Sequence, residues 1–246
     1  MEVITKELIF LDTETTGVDL KDRLVQVAYK IRGKKLIDGL FKPELPISIE
    51  SMAICHITNK MVKDKPKFQG SDIHSDLVDL FIDKNTVLIA HNAKFDIDIL
   101  LKEEINVKNY ICTYKMAHHL DSEGVIPKYN LQYLRYLLEL DVEGVAHDAM
   151  GDVLVLEKLF ERLFEKMFAE TDIEIPFATG DDAIKEMINI SNKPLLFKKF
   201  NFGKYNGKFI KDIVEQDRGY LEWLLREKKK EKDWDLDWVY TLEKYL

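Results

Sequence analysis

Cysteine is scarce: Cys55 and Cys112 are the only two in 246 residues. They stand far apart, each inside an apolar segment, so a disulfide framework or a zinc cluster is not expected and both read as reduced, buried thiols. Proline (6) and glycine (11) are also few, which excludes collagen-like and Pro/Gly-rich disordered sequence. No uncharged apolar run approaches the roughly 18 residues needed to cross a bilayer. The opening residues MEVITKELIF carry acids where a secretory signal would be basic. These absences argue against a membrane partner and predict a cytoplasmic protein. No segment repeats at a fixed period. What is present, 46% hydrophobic and 33% charged residues, suits one soluble domain of ordinary size with a small second one.

The net charge of −8 is unevenly divided. Residues 193–246 hold 13 of the 36 basic and 10 of the 44 acidic residues, a balance of +3, which leaves −11 on residues 1–192. A basic surface is the usual footprint of phosphate binding. A protein that holds divalent cations instead needs clustered carboxylates, and bound metal reverses the local field. Net charge therefore does not exclude a nucleic-acid partner.

Residues 8–12 form a short apolar strand that stops in a turn marked by Thr15, Thr16 and Gly17, and residues 23–32 and 36–41 predict an antiparallel hairpin beside it. Helical spacing is expected over 57–62, 71–82, 94–104 and 131–140. Strands are expected at 86–92 and 110–113. Asp148 fits an N-cap for a long helix running to about residue 169. The pattern predicts an α/β fold with a mixed five-stranded sheet flanked by helices. The division is a first domain over 1–169, a linker with a short helix over 170–192, and a small α+β module over 193–246. In that module Asn206-Gly207 is a hairpin signal.

Three segments carry chemistry. Asp12 and Glu14 are two apart at a strand end, so in extended backbone both side chains face one way, a repulsive pair that a divalent ion would make favourable. Asp96, in HNAKFD, sits at the carboxyl end of another strand, the edge where open α/β sheets bind ligands; it also fits a first-turn acid stabilised by the helix dipole. Asp98 would face away. In HDAMGD, His147 precedes a helix whose first turns carry Asp152. Among six histidines, with His56, His74, His91, His118 and His119, the position of His147 relative to Asp152 sets it apart.

Taken together, FLDTETTG, HNAKFD and HDAMGD resemble the three motifs of the DEDDh exonucleases over about residues 5–168. The resemblance implies a ribonuclease H-like fold, two Mg2+ or Mn2+ ions held by Asp12, Glu14, Asp96 and Asp152, and His147 as general base. It implies a metal-dependent hydrolase releasing nucleoside monophosphates from a 3' end, in repair or proofreading. Thr15, Thr16, Gly17, Phe95, His56 and Ile57 are the expected contacts to the terminal nucleotide.

ICTY at 111–114, LQYLRYLLEL, and residues 202–225 resemble the exodeoxyribonuclease X branch of that family, including its C-terminal module. DNA, as single-stranded or frayed 3' ends, is favoured over RNA. The aromatics and lysines between Phe197 and Lys211 fit either a single-strand grip or a small core with a wet lysine face. Lys228, Lys229 and Lys230 read as a solvated helix end, and Trp223, Trp234 and Trp238 as packing. The alternatives are an RNA or short-oligonucleotide exonuclease, and a non-catalytic subunit docking a polymerase or repair protein.

Overall fold

The computed structural model describes residues 4–142, 149–169, 179–230 and 235–246. In chain order the elements are β1 (Glu7–Thr15), β2 (Leu24–Ile31), β3 (Leu36–Leu40), α1 (Ile49–Cys55), α2 (Asn59–Val62), α3 (Asp72–Ile82), β4 (Thr86–Ala90), α4 (Lys94–Lys102) and β5 (Tyr110–Cys112). They continue as α5 (Thr113–Leu120), α6 (Leu131–Leu137), α7 (Ala149–Ala169), α8 (Gly180–Asn192), α9 (Ile210–Gln216), α10 (Arg218–Lys228) and α11 (Leu236–Tyr245). The sheet order is β3-β2-β1-β4-β5, antiparallel across β3, β2 and β1 and parallel across β1, β4 and β5. This is the mixed sheet that the sequence predicts.

Alternation along the central strands decides what lies on each face. Leu8 and Phe10 of β1, with Val87 and Ile89 of β4, join the core under α5, α6, α7 and α8. Their neighbours Ile9, Leu11, Leu88 and Ala90 join the core under α3 and α4. Successive strand side chains point to opposite faces, so both faces are covered by helices and both parities must be apolar. On the first face, the Phe10 and Phe160 rings meet edge to face at 5.6 Å.

Several boundaries differ from expectation for local reasons. β1 continues to Thr15, because Asp12 and Glu14 remain paired with Ala28 and Gln26 of β2. α6 ends at Leu137, where Glu139 takes a φ of 52° and the Leu140 amide folds back onto the Arg135 carbonyl. Three helices were not predicted. α1 leaves Ile49 and Ile54 exposed, which blurs its periodicity; α5 begins at the residue after β5; and α11 follows a charged stretch. Cys55 and Cys112 are buried free thiols, as expected.

The hairpin expected at Asn206-Gly207 is not one. Asn206 has φ −47° and ψ 128°, Gly207 has φ 80°, and the Lys208 amide donates to the Tyr205 carbonyl at 2.9 Å. That is a type II turn, whose twist splays the flanking strands where types I′ and II′ align them. Pairing is reduced to a single bridge between Lys199 and Phe209. Phe197, Phe200, Ile210, Ile213, Leu221, Leu224 and Trp238 form the core of this C-terminal part, with Trp238 stacked on Phe197 and Phe200 at 4.8 and 5.2 Å. Trp223 is 47% exposed, contrary to the expectation of packing, and Trp234 lies outside the described residues.

α8 spans 13 residues within what the sequence suggests is a linker. Its Ile184 and Met187 are fully buried in the core of the sheet's α7 face, and its Ser191 hydroxyl accepts from the Cys112 amide at 2.9 Å. Ile184→Ala should therefore lower unfolding stability by about 2–5 kcal/mol, the usual cost of emptying a core site. A loss under about 1 kcal/mol in urea denaturation would mean that α8 is only loosely attached.

Candidate functional site

Phe10 points to the α7 face, so Asp12 and Glu14, two and four residues on, point there too; the register shifts only between Glu14 and Thr15. Both are half-buried, whereas Thr13 and Thr15 between and beyond them are buried. Asp12 and Glu14 thus form the same-face pair that their spacing suggests. Glu14 lies near Cys55, and its negative charge adds to the burial that raises the Cys55 thiol.

Asp96 approaches from the opposite face. β4 ends at Ala90, the chain turns through Asn92 at φ 62°, and α4 starts at Lys94, so Asp96 falls in the first helical turn. Asparagine tolerates that left-handed conformation better than most residues. Thr13, on the α4 side of β1, donates to Asp96 Oδ1 through its amide at 3.1 Å and its hydroxyl at 2.8 Å. Asp96 is 3% exposed. Burial pushes its acid up to about 7, outweighing the two hydrogen bonds that favour the carboxylate.

Asp152 reaches the same edge from α7. Gln132 Nε2, in the first turn of α6, donates to Asp152 Oδ1. Asn130 caps α6 by accepting from the Tyr133 amide at 2.8 Å. The preceding carbonyl, that of Tyr129, accepts from His91 Nε2 at 2.7 Å, and His91 directly follows β4. With Nε2 donating, Nδ1 accepts from the Thr113 hydroxyl at 2.9 Å. Burial lowers His91 to about 4, which keeps the ring neutral. The roles of Gln132, His91 and Thr13 were not read from sequence: LQYLRYLLEL shows only amphipathic periodicity, and His91 was one histidine among six.

His147 and Asp148 lie outside the described residues. Of the other expected contacts, the Thr15 hydroxyl donates to the Gly17 carbonyl and the Thr16 hydroxyl to Asp22, both at 2.6 Å. They hold the loop after β1. A Cβ on Gly17 would come within 2.6 Å of the Asp22 carboxylate, so a side chain here would displace Asp22 from Thr16. Half-buried Phe95 borders a cleft with Gly17 and Lys94. His56 is exposed at the end of α1 with φ 58°. Ile57 is 5% exposed and packs with Val25, Ile47, Cys55 and Val62; its side chain is a small-core residue, not a free contact.

All four carboxylates offer hard oxygen donors, the kind that Mg2+ and Mn2+ prefer. Among the described residues no three His, Cys, Asp or Glu side chains are gathered tightly enough to hold an ion as they stand.

Residues 9–160 match the family described as Exonuclease, and residues 200–229 the one described as Exodeoxyribonuclease X-like C-terminal. The chain is 33% identical over 229 residues to Exodeoxyribonuclease 10 of Escherichia coli (strain K12), covering 88% of this chain and 90% of that protein. It is 34% identical over 160 residues to DNA polymerase III subunit epsilon of Treponema pallidum (strain Nichols), covering 61% and 72%. Among solved structures, Exonuclease X in complex with 5' overhanging duplex DNA superposes with a TM-score of 0.52 at 27% identity, over 72% of this chain and 99% of that one. The nuclease domain of 3'hExo, a DEDDh family member, bound to rAMP, shares the fold with a TM-score of 0.53 at 14% identity, covering 67% and 94%.

The raised Asp96 acid gives a signed prediction. Its folded pKa of about 7 lies above the ordinary aspartate value of 3.8, so its contribution to stability is full below about pH 4 and is lost as pH rises through 7. In chelator, Asp96→Asn keeps an oxygen to accept from Thr13 and removes this loss. The variant should gain on wild type steadily from pH 4 to 8, by a few kcal/mol in all; histidine contributions cancel in the difference. Parallel stability-versus-pH curves would refute it.

Proposed function

The chain belongs to the exonuclease family and is a 3'-to-5' exonuclease, and from that premise we propose that its substrate is the 3' end of a DNA strand, single-stranded or frayed. What supports this reading is the pair Asp12 and Glu14 on one face of β1, Asp96 tied to Thr13 between them, and Asp152 on α7, the helix packed on that face. DNA is favoured by the likeness, over most of both chains, to a protein named Exodeoxyribonuclease 10, and by the solved likeness of Exonuclease X with duplex DNA.

The family generally uses divalent metal ions. Asp12, Glu14, Asp96 and Asp152 would hold the Mg2+ or Mn2+ ions. When bound, such a pair lowers the pKa of water and neutralises charge on the departing 3' oxygen. The chain's own residues do the rest. Thr13 and Gln132 orient Asp96 and Asp152, the loop fixed by Thr16 and Asp22 carries Gly17 to the rim, and His147 takes the proton from the attacking water. A silent binding subunit would have no physical reason to keep four like charges together.

The domain division is also part of this proposal, with one adjustment. α8 belongs with the exonuclease body, so the C-terminal unit begins near residue 193. Association with a polymerase or repair protein would use that unit.

With 5'-labelled DNA and RNA strands, the wild type should give a ladder shortening from the 3' end, faster on DNA, and stop in chelator. Asp12→Ala should remove cleavage while the protein stays folded; near-normal turnover in that variant would overturn the site. RNA cut as fast as DNA would return the substrate to the broader class.

His147→Ala should slow single-turnover cleavage by roughly 10² to 10⁴. A general base must be neutral, so the wild-type rate should rise with pH through the His147 pKa, and that acidic limb should vanish in the variant. A limb unchanged in His147→Ala would assign the titration to another group.

A further inference from the structure

The exonuclease body and the C-terminal unit meet along a groove of about 330 Å3. One wall comes from α5 and residues 124–130, the other from residues 197–201 and the turn at 206–207. Three features mark it as a place shaped for something outside the chain. First, His118 Nε2 is buried without a hydrogen-bond partner, although its ring lies stacked on Tyr129 at 3.4 Å between centroids. Buried polar atoms in native proteins almost always find partners. Burial lowers His118 to about 3, so the ring beside the groove is neutral and leaves the lysines as the charged groups of this wall.

Second, the rim is cationic. Lys128 is exposed, and Lys199 lies 4.5 Å over the Phe209 ring; both border the groove. Asp121, the nearby buried acid, is already satisfied by the amides of Val125 and Ile126 at 3.0 and 2.9 Å and the Tyr129 hydroxyl at 2.6 Å. Lys198 Nζ donates to the Asp121 carbonyl. The remaining acid of this segment, Glu123, is exposed.

Third, the groove leads to the carboxylates. Tyr129 and Asn130 line it, the Tyr129 carbonyl holds His91, and two residues beyond Asn130 Gln132 holds Asp152. The groove therefore ends within one helical turn of the proposed catalytic edge.

We propose that this groove holds the single-stranded phosphodiester strand upstream of the terminal nucleotide, with phosphates on Lys128 and Lys199 at its rim. The inference rests on the exonuclease reading. A groove this size admits a nucleotide-sized group. Because Phe197 and Phe200 are 5% and 1% exposed, the strand is gripped by charge and hydrogen bonds, not by stacking on those rings.

The test is binding by full-length protein, followed by fluorescence anisotropy with phosphorothioate DNA strands of about three and about twenty nucleotides in calcium. Lys128→Glu with Lys199→Glu should weaken the long strand at least tenfold, erase most of its advantage over the short one, and flatten its salt dependence by about 1.4, near 0.7 per lost phosphate contact. Asn201→Glu, on the wall that carries Lys199 and faces Lys128, should weaken the long strand in the same sense. Unchanged long-strand affinity in both folded variants would overturn the groove, as would an equal loss for both lengths. If wild type cuts 3' ends yet the variants bind normally, only this inference falls. If wild type cuts nothing, the exonuclease reading falls, while the binding comparison still decides the groove.

Discussion

Two carboxylates on one face of a strand repel each other, and here the backbone gives them nowhere to go. Asp12 and Glu14 cannot swing apart, because β1 is anchored on both faces by Leu8, Ile9, Phe10 and Leu11, all almost fully buried. Asp96 cannot retreat, because its helix starts within four residues of β4. Asp96 bears a separate cost, that of burial, which raises its acid.

Neutral donors manage the strain that remains. Thr13 gives two hydrogen bonds to a single oxygen of Asp96, and Gln132 gives one to Asp152. Neither adds charge, so both orient the acids without competing as counter-ions for a cation. The tie from His91 to the α6 entrance places Gln132, and a neutral imidazole suits that task because a charged one would pull the carboxylates toward itself.

Much of this was legible in the sequence, for reasons that differ by residue. The DxE pair was readable because strand geometry has a period of two and β1 extends through it. Asp96 and Asp152 were readable because each follows a clear helix start. Gln132 was not, since a polar residue on an amphipathic helix normally faces water. Ile57 was misjudged because burial in a four-element corner leaves no periodic trace. The lysines of the C-terminal part were read correctly as cationic, but the type II turn and the inward aromatics change what that charge accompanies. α8 was legible as a short helix, but not as part of the core that Ile184 and Met187 join, because its surroundings look like a linker.

The junction between β5 and α5 contains no connecting residue: Cys112 ends the strand and Thr113 begins the helix. A loop absorbs an inserted or deleted residue; a seamless junction passes it on as a phase error. One added residue there would rotate every α5 side chain by about 100° and advance it about 1.5 Å. Thr113 would leave His91, and His118 would leave the inter-unit groove, in the same motion. The helix thus acts as a keyed shaft, setting the angular alignment of the catalytic edge and of the C-terminal unit from a single point.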